Sequence, residues 1–275
     1  MSFTREEINT RLRENISKRI PIIGTGAGTG ISAKFEEKGG SDLIIIYNSG
    51  RFRMAGRSSS CGLLPFGDAN AIVMEMAGEV LPMAKNTPVL AGVTGTDPFR
   101  NMRLFLEDVR KIGFSGIQNF PSVGSFDGRI REEFEQTGLG FENEVDMIRI
   151  ANEMNLFSSP YAWNTEEAEA MTEAGADVIV AHCGCTLGGS IGMSLTISME
   201  EAVKLVQDIH DAAISVNPDV IVLCHGGPIA SWEDAQYVLQ NTKGIHGFYG
   251  ASSAERLPVE QALLENMKNF KSITY

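Results

Sequence analysis

Short, continuously apolar, β-branched runs alternate along this chain with stretches of helical period. That alternation restricts the fold more than any other feature. The runs are Ile20–Ile23, Asp42–Tyr47, Pro88–Val93, Phe114–Ile117, Asp177–His182, Val220–Cys224 and Ile245–Tyr249, with Leu156–Tyr161 as a less regular eighth. Unbroken apolar runs of this length fit strands buried on both faces, as in a parallel sheet covered by helices. Between them, Ser198 and Glu201 form a capping-box pattern ahead of Ala202, Leu205, Val206, Ile209, Ala213 and Val216, and Asn217-Pro218 ends the helix. Asn164 with Glu167, and Ser231 with Asp234, open two more helices that stop near Gly175 and Gly244. Pro258 suits the first turn of a last helix, and Thr4 with Glu7 starts one before the first strand.

Eight strand-then-helix units in 275 residues predict a (β/α)8 TIM barrel with an extra N-terminal helix. An open, doubly wound sheet is the rival. No linker or charge block divides the chain, so residues 1–275 read as a single domain. The 43% hydrophobic and 21% charged content excludes disordered, collagen-like and coiled-coil classes. No apolar run approaches the roughly 20 residues that span a bilayer. With 23 basic against 35 acidic residues the net charge is −12, which argues against nucleic acid and anionic membranes as partners but leaves room for a local anion pocket. The polar start Met1–Glu7 has no signal-peptide character, and four cysteines then read as reduced thiols of a cytoplasm. Self-association is expected from the frequency of homo-oligomers alone.

Turns entering the strands are short, whereas three segments leaving them are long: Arg51–Gly67, Pro121–Gly140 and Cys183–Ile197. In a parallel barrel all of these lie on the C-terminal face, where active sites form. Gly24-Thr25-Gly26-Ala27-Gly28-Thr29-Gly30 does not match G-x-G-x-x-G, and no acid ends the second strand, so a dinucleotide site is not expected. Gly24 and Gly26 instead read as places where backbone approaches a ligand. Tyr47 and Ser49 end the second strand, and Arg51, Arg53 and Arg57 follow in position to close over a carboxylate or phosphate. Asp97 ends the third strand and is a candidate base or Mg²⁺ ligand, or only a cap before Pro98; Gln118 and Asn119 end the fourth. His182-Cys183-Gly184-Cys185 and Cys224-His225 end neighbouring strands. Their C-x-C spacing is less usual for zinc, and His182 and His225 read better as acid/base or anion-binding groups. Gly226, Gly227, Gly250, Ser252 and Ser253 follow the last two strands, where barrels often bind phosphate through backbone N–H groups.

Taken together, Tyr47–Arg53, Gly92–Arg100, Asn119-Phe120-Pro121, His225–Pro228 and Gly250–Arg256 resemble the phosphoenolpyruvate hydrolase-like family. This is a TIM-barrel family, also labelled phosphonopyruvate hydrolase, and distantly similar to the phosphoenolpyruvate mutase/isocitrate lyase superfamily. The resemblance runs over nearly the whole chain. It implies cleavage of a C–P or P–O bond in a small phosphorylated or phosphonylated 2-oxo acid such as phosphonopyruvate or phosphoenolpyruvate. That superfamily holds Mg²⁺ with clustered carboxylates at strand ends, of which only Asp97 is matched here. The expectation is therefore a Mg²⁺-assisted hydrolase or lyase of a small anionic substrate, with Asp97 on the metal and His182 or His225 moving protons. Arg51 or Arg53 would clamp the carboxylate. The alternative is a non-catalytic, metabolite-sensing or partner-binding barrel. A Schiff-base aldolase is disfavoured because no lysine ends a strand.

Overall fold

A computed structural model describes residues 2–275. Nine parallel strand segments form one curled sheet: β1 (Ile22–Gly26), β2 (Leu43–Ile46), β3 (Val89–Val93), β4 (Gly116–Asn119), β5 (Phe157–Ser158), β6 (Tyr161–Ala162), β7 (Val178–His182), β8 (Ile221–His225) and β9 (Ile245–Gly250). Their spatial order is β5-β4-β3-β2-β1-β9-β8-β7-β6. Segments β5 and β6 are two halves of one barrel strand, interrupted at Ser159-Pro160, where the proline has no N–H to give to a ladder. The first half pairs with β4 and the second with β7. Across the break, Ser159 N–H reaches the Ile117 carbonyl at 3.1 Å and the Pro160 carbonyl accepts from Val180 N–H at 2.9 Å. The sheet thus closes on itself with eight strands, as in a TIM barrel.

Eleven α-helices accompany the strands: α1 (Arg5–Ser17), α2 (Gly30–Gly39), α3 (Asn48–Met54), α4 (Ala69–Val80), α5 (Met102–Ile112), α6 (Gly128–Gln136), α7 (Glu142–Glu153), α8 (Thr165–Glu173), α9 (Met199–Val216), α10 (Trp232–Asn241) and α11 (Leu257–Lys271). The expected capping boxes are present at Thr4/Glu7, Ser198/Glu201 and Ser231/Asp234, and Asn164 caps α8. One apolar core lies between sheet and helices, and a second fills the barrel lumen. Helix α1 closes the N-terminal end of the lumen: Ile8 and Leu12 are buried in the cluster that holds Ile22, Leu43, Leu90, Val178 and Ile221. Its outer turn is tied down by Arg5, whose Nε donates to Asp177 at 2.8 Å.

Three expectations shift. β1 starts two residues later than the apolar run suggested and continues to Gly26, and β4 occupies Gly116–Asn119 rather than Phe114–Ile117. Burial follows the tertiary ladder here, not the local run of apolar residues. The segment after β2 is not an open lid: Asn48–Met54 is helical, so Arg51 and Arg53 are helix residues. Helix α11 buries none of its residues.

Candidate functional site

A cavity of about 250 Å³ opens at the C-terminal end of the barrel. Its wall includes Tyr47 from the end of β2, Phe120 after β4, Tyr161 in β6, His182 ending β7, His225 ending β8, and Ala251 and Ser252 after β9. Each sits there because a parallel strand ends at that face. The loop between β7 and α9 adds Cys185, Thr186, Ile191, Gly192 and Met193, and the turn after α3 adds Ser58, Ser59 and Ser60.

The floor is aromatic and uncharged. Tyr161 packs edge-on against His182 with centroids 4.8 Å apart and lies 4.9 Å from His225; the two imidazoles are 4.7 Å apart, and Trp163 stacks on His182 at 4.6 Å. Burial holds both histidines neutral. It pushes His182 well below the usual imidazole range, with His225 nearby adding to the effect, and takes His225 down to about 4. Their tautomers follow from their backbone partners. His225 Nδ1 lies 2.7 Å from the Tyr249 carbonyl, which can only accept, so Nδ1 carries the proton and Nε2 has the lone pair. His182 Nδ1 accepts from Gly184 N–H at 3.0 Å, so its proton is on Nε2. Among the described residues neither Nε2 has a protein partner, which leaves one acceptor and one donor side by side at the cavity.

Beneath them, Tyr161 OH is 2.8 Å from Tyr47 OH, which in turn hydrogen-bonds Gln118 Oε1. Gln118 Nε2 donates to the Ser159 carbonyl at 2.6 Å. Gln118 is fully buried and accepts from Tyr47, which in turn meets Tyr161. Asn119 is equally buried: its amide brackets the split strand by accepting from Tyr161 N–H at 2.6 Å and donating to Glu144 at 2.7 Å. Burial raises that Glu144 carboxyl to about 7.

Both arginines at the cavity wall are already paired. Arg53 binds Glu255 through Nε and Nη2 at 2.8 and 2.6 Å, with both side chains 1% exposed, and Nη2 also meets the Gly26 carbonyl at 2.9 Å. The other Glu255 oxygen accepts from Gly28 N–H at 2.7 Å. Arg256 donates to Glu260 at 3.0 Å and to the Gly188 carbonyl at 3.0 Å, while Glu260 accepts from Ser190 N–H and Oγ at 2.9 and 2.7 Å. This clasp fastens the 188–193 loop over the cavity to the start of α11.

Other sequence candidates fall elsewhere. Arg51 points away to Glu75, and both are substantially exposed. Asp97 does not line the cavity; its carboxylate is engaged by Arg100, by Asn70 at 2.9 Å and by Phe99 N–H at 3.0 Å, and lies below the usual range despite partial burial. Among the described residues no group of three His, Cys, Asp or Glu side chains is placed to hold a metal ion. A Mg²⁺ ion on Asp97 would have to displace Arg100, so the donor set does not fit that ion. Gly226 and Gly227 adopt positive φ (76° and 58°), and Gly227 N–H is spent on the Gly184 carbonyl at 2.8 Å; they form a tight turn outside the cavity lining. What approaches Gly24 and Gly26 is aromatic: a Cβ on Gly24 would stand 2.4 Å from the Tyr249 ring, and one on Gly26 2.9 Å from Tyr47. Gly250 serves the same turn as Ser253, whose buried Oγ has no partner, while Ser49 and Ser252 do reach the cavity. Tyr161, Trp163, Arg256 and the serine triplet 58–60 were missed as site residues, although Tyr161 ends the least regular of the eight apolar runs.

No helix among the described residues is long and apolar enough to cross a membrane. The chain is 62% identical over 264 residues to the ToMV susceptible protein tm-1(GCR26) of Solanum lycopersicum, covering 96% of this chain and 35% of that protein. It is 61% identical over 270 residues to the ToMV resistance protein Tm-1(GCR237) of the same plant, covering 98% and 36%. The chain therefore spans about a third of the length of these curated relatives. Among solved structures, a phosphonopyruvate hydrolase in complex with oxalate and Mg²⁺ superposes with a TM-score of 0.62 at 17% identity, covering 98% of this chain and 87% of that one; at that identity the likeness is one of fold. A family model described as phosphoenolpyruvate hydrolase-like matches residues 7–273, and with the barrel and its C-terminal cavity in place the chain belongs to that family.

Proposed function

We propose that the chain is a hydrolase or lyase of a small 2-oxo acid of the phosphonopyruvate or phosphoenolpyruvate kind, working by acid–base catalysis. The observation that carries this reading is the His182–His225 pair, two neutral imidazoles fixed in opposite tautomers beside one cavity. Cleavage of the C–P bond in phosphonopyruvate or the P–O bond in phosphoenolpyruvate leaves the same enolate of pyruvate. His225 Nε2 takes a proton from the water that attacks phosphorus, and His182 Nε2–H donates a hydrogen bond to the developing enolate oxygen. His225 then returns that proton to the enolate carbon, which completes pyruvate and restores the neutral imidazole, and the attacking oxygen leaves as part of inorganic phosphate. Ser49, Ser252 and the hydroxyls of Ser58–Ser60 supply neutral donors for the substrate's anionic ends, and Arg53 and Arg256 lend positive potential from within their ion pairs. This reading routes no step through Mg²⁺, because Asp97 is outside the cavity and already paired.

The test is release of pyruvate and phosphate from each compound, with Mg²⁺ and with EDTA. Turnover that survives EDTA and falls by about 10²–10⁴ in His225→Ala supports it. A second reading, a metabolite-sensing or partner-binding barrel, is favoured by the prior neutralisation of Arg53, Arg256 and Asp97. It predicts thermal stabilisation by these compounds without turnover. A similar barrel within a protein named for virus resistance is compatible with it.

A further inference from the structure

Splitting a barrel strand at Ser159-Pro160 leaves its second half short of ladder partners on one side. The ladder from β4 reaches only Phe157 and Ser158, opposite Gly116 and Ile117, while β6 pairs with β7. Tyr161 lies beyond that ladder, and a side-chain amide takes the place of the missing rung. Asn119 Oδ1 accepts from Tyr161 N–H at 2.6 Å, and Asn119 Nδ2 donates to the Tyr161 carbonyl at 3.3 Å, as the peptide of a neighbouring strand would.

An amide can sit in this place in two orientations, and only one of them matches Tyr161. Glu144, fully buried in the first turn of α7, decides between them. Its Oε2 accepts from Asn119 Nδ2 at 2.7 Å and its Oε1 from Val123 N–H at 2.8 Å. Both oxygens face donors, so the ionised group fits, and a proton on either would expel one of them. Val123 opens the turn whose Ser125 lines the cavity, and the Tyr161 ring packs against both imidazoles.

We propose that Glu144 is a positioning residue for the candidate site: its carboxylate fixes the Asn119 amide, the amide fixes Tyr161, and Tyr161 holds His182 and His225 in place. The clamp responds to pH. Burial raises the Glu144 carboxyl to about 7, against its hydrogen bonds from Val123, Ser122 and Asn119, and Glu167 of α8 adds to the rise. Glu167 is itself paired with Arg131 of α6 at 2.9 Å. Arg103 of α5 pairs with Glu153 at the far end of α7, and Asp97 after β3 is taken by Arg100. The clamp is therefore set above about pH 7 and released as pH falls through that value, while His225 stays neutral down to about 4.

The test is a nitrogen NMR titration of the full chain, following the Tyr161 amide and the ring nitrogens of His182 and His225. All should move together with a midpoint near 7, the ring signals keeping the values of neutral imidazole. In Glu144→Gln the step should vanish, because a neutral side chain holds the low-pH arrangement throughout. In Glu36→Gln, which removes a second carboxyl that burial raises to about 7, it should remain. Asn119→Ala should silence the step at the rings. On the hydrolase reading, on which this readout alone rests, kcat for pyruvate release should fall about tenfold to a hundredfold in Glu144→Gln with KM nearly unchanged. A chain with no step near 7 at Tyr161 and the rings would overturn the proposal, as would a step that survives in Glu144→Gln or Asn119→Ala. Absence of turnover in every chain would refute the hydrolase reading alone, since the spectra decide the clamp without it.

Discussion

Arg53 and Glu255 carry opposite charges with side chains only 1% exposed, and their partners lie on three different parts of the C-terminal face. Removing one partner leaves an uncompensated buried charge. Arg53→Ala should therefore lower stability by about 3–5 kcal/mol in urea unfolding, and Arg53→Met with Glu255→Leu by much less. The histidines give a pH-dependent prediction. His225 is lowered to about 4 in the folded chain, against about 6.5 when unfolded. A depressed folded value means the stabilisation is fully present above the unfolded value and is lost as pH falls through the folded one. His225 should thus contribute roughly 3 kcal/mol near neutrality that drains away between about pH 6.5 and 4. An NMR titration in which the His225 ring protonates near 6.5 would refute the neutral pair. At this scale the sequence was informative where chemistry and strand end coincide, as at His182 and His225. It was silent on pairing: nothing local to Arg53 says that Glu255, 202 residues away, neutralises it.

Among the elements, the split strand and the loop over the cavity set the site's shape. The loop's hold on α11 runs through Glu260, which takes both donors of Ser190 and pairs with Arg256. Glu260→Ala should free residues 188–193, read as faster amide hydrogen exchange there and weaker ligand retention, with the barrel's exchange unchanged. Strand β1 is tuned for close approach: Gly24→Ala would drive a methyl into the Tyr249 ring, and overpacking of this kind costs about 1–3 kcal/mol in thermal or urea unfolding. Apolar period and capping residues located the helices well because those signals are local. The boundaries of β1 and β4 and the helical nature of Asn48–Met54 were not legible, because the ladder and the packing of distant strands decide them.

On the scale of the whole molecule, the barrel class was readable because eight alternating units in one chain leave few ways to bury every strand on both faces. What the alternation did not reveal is that the last helix, α11, buries none of its residues. At the other terminus α1 is well seated: Leu12, 1% exposed, seals the lumen, and Leu12→Ala should cost about 2–5 kcal/mol by equilibrium denaturation. That plug also orders events during synthesis. Helix α1 leaves the ribosome before any strand of the barrel, yet its seat is built from Ile22, Leu43, Leu90, Val178 and Ile221, and Arg13 anchors it to the Asp219 carbonyl. The nascent chain must carry Ile8 and Leu12 without a berth until four-fifths of the barrel has been made, so a helix translated ahead of every strand is among the last of the barrel's elements to dock.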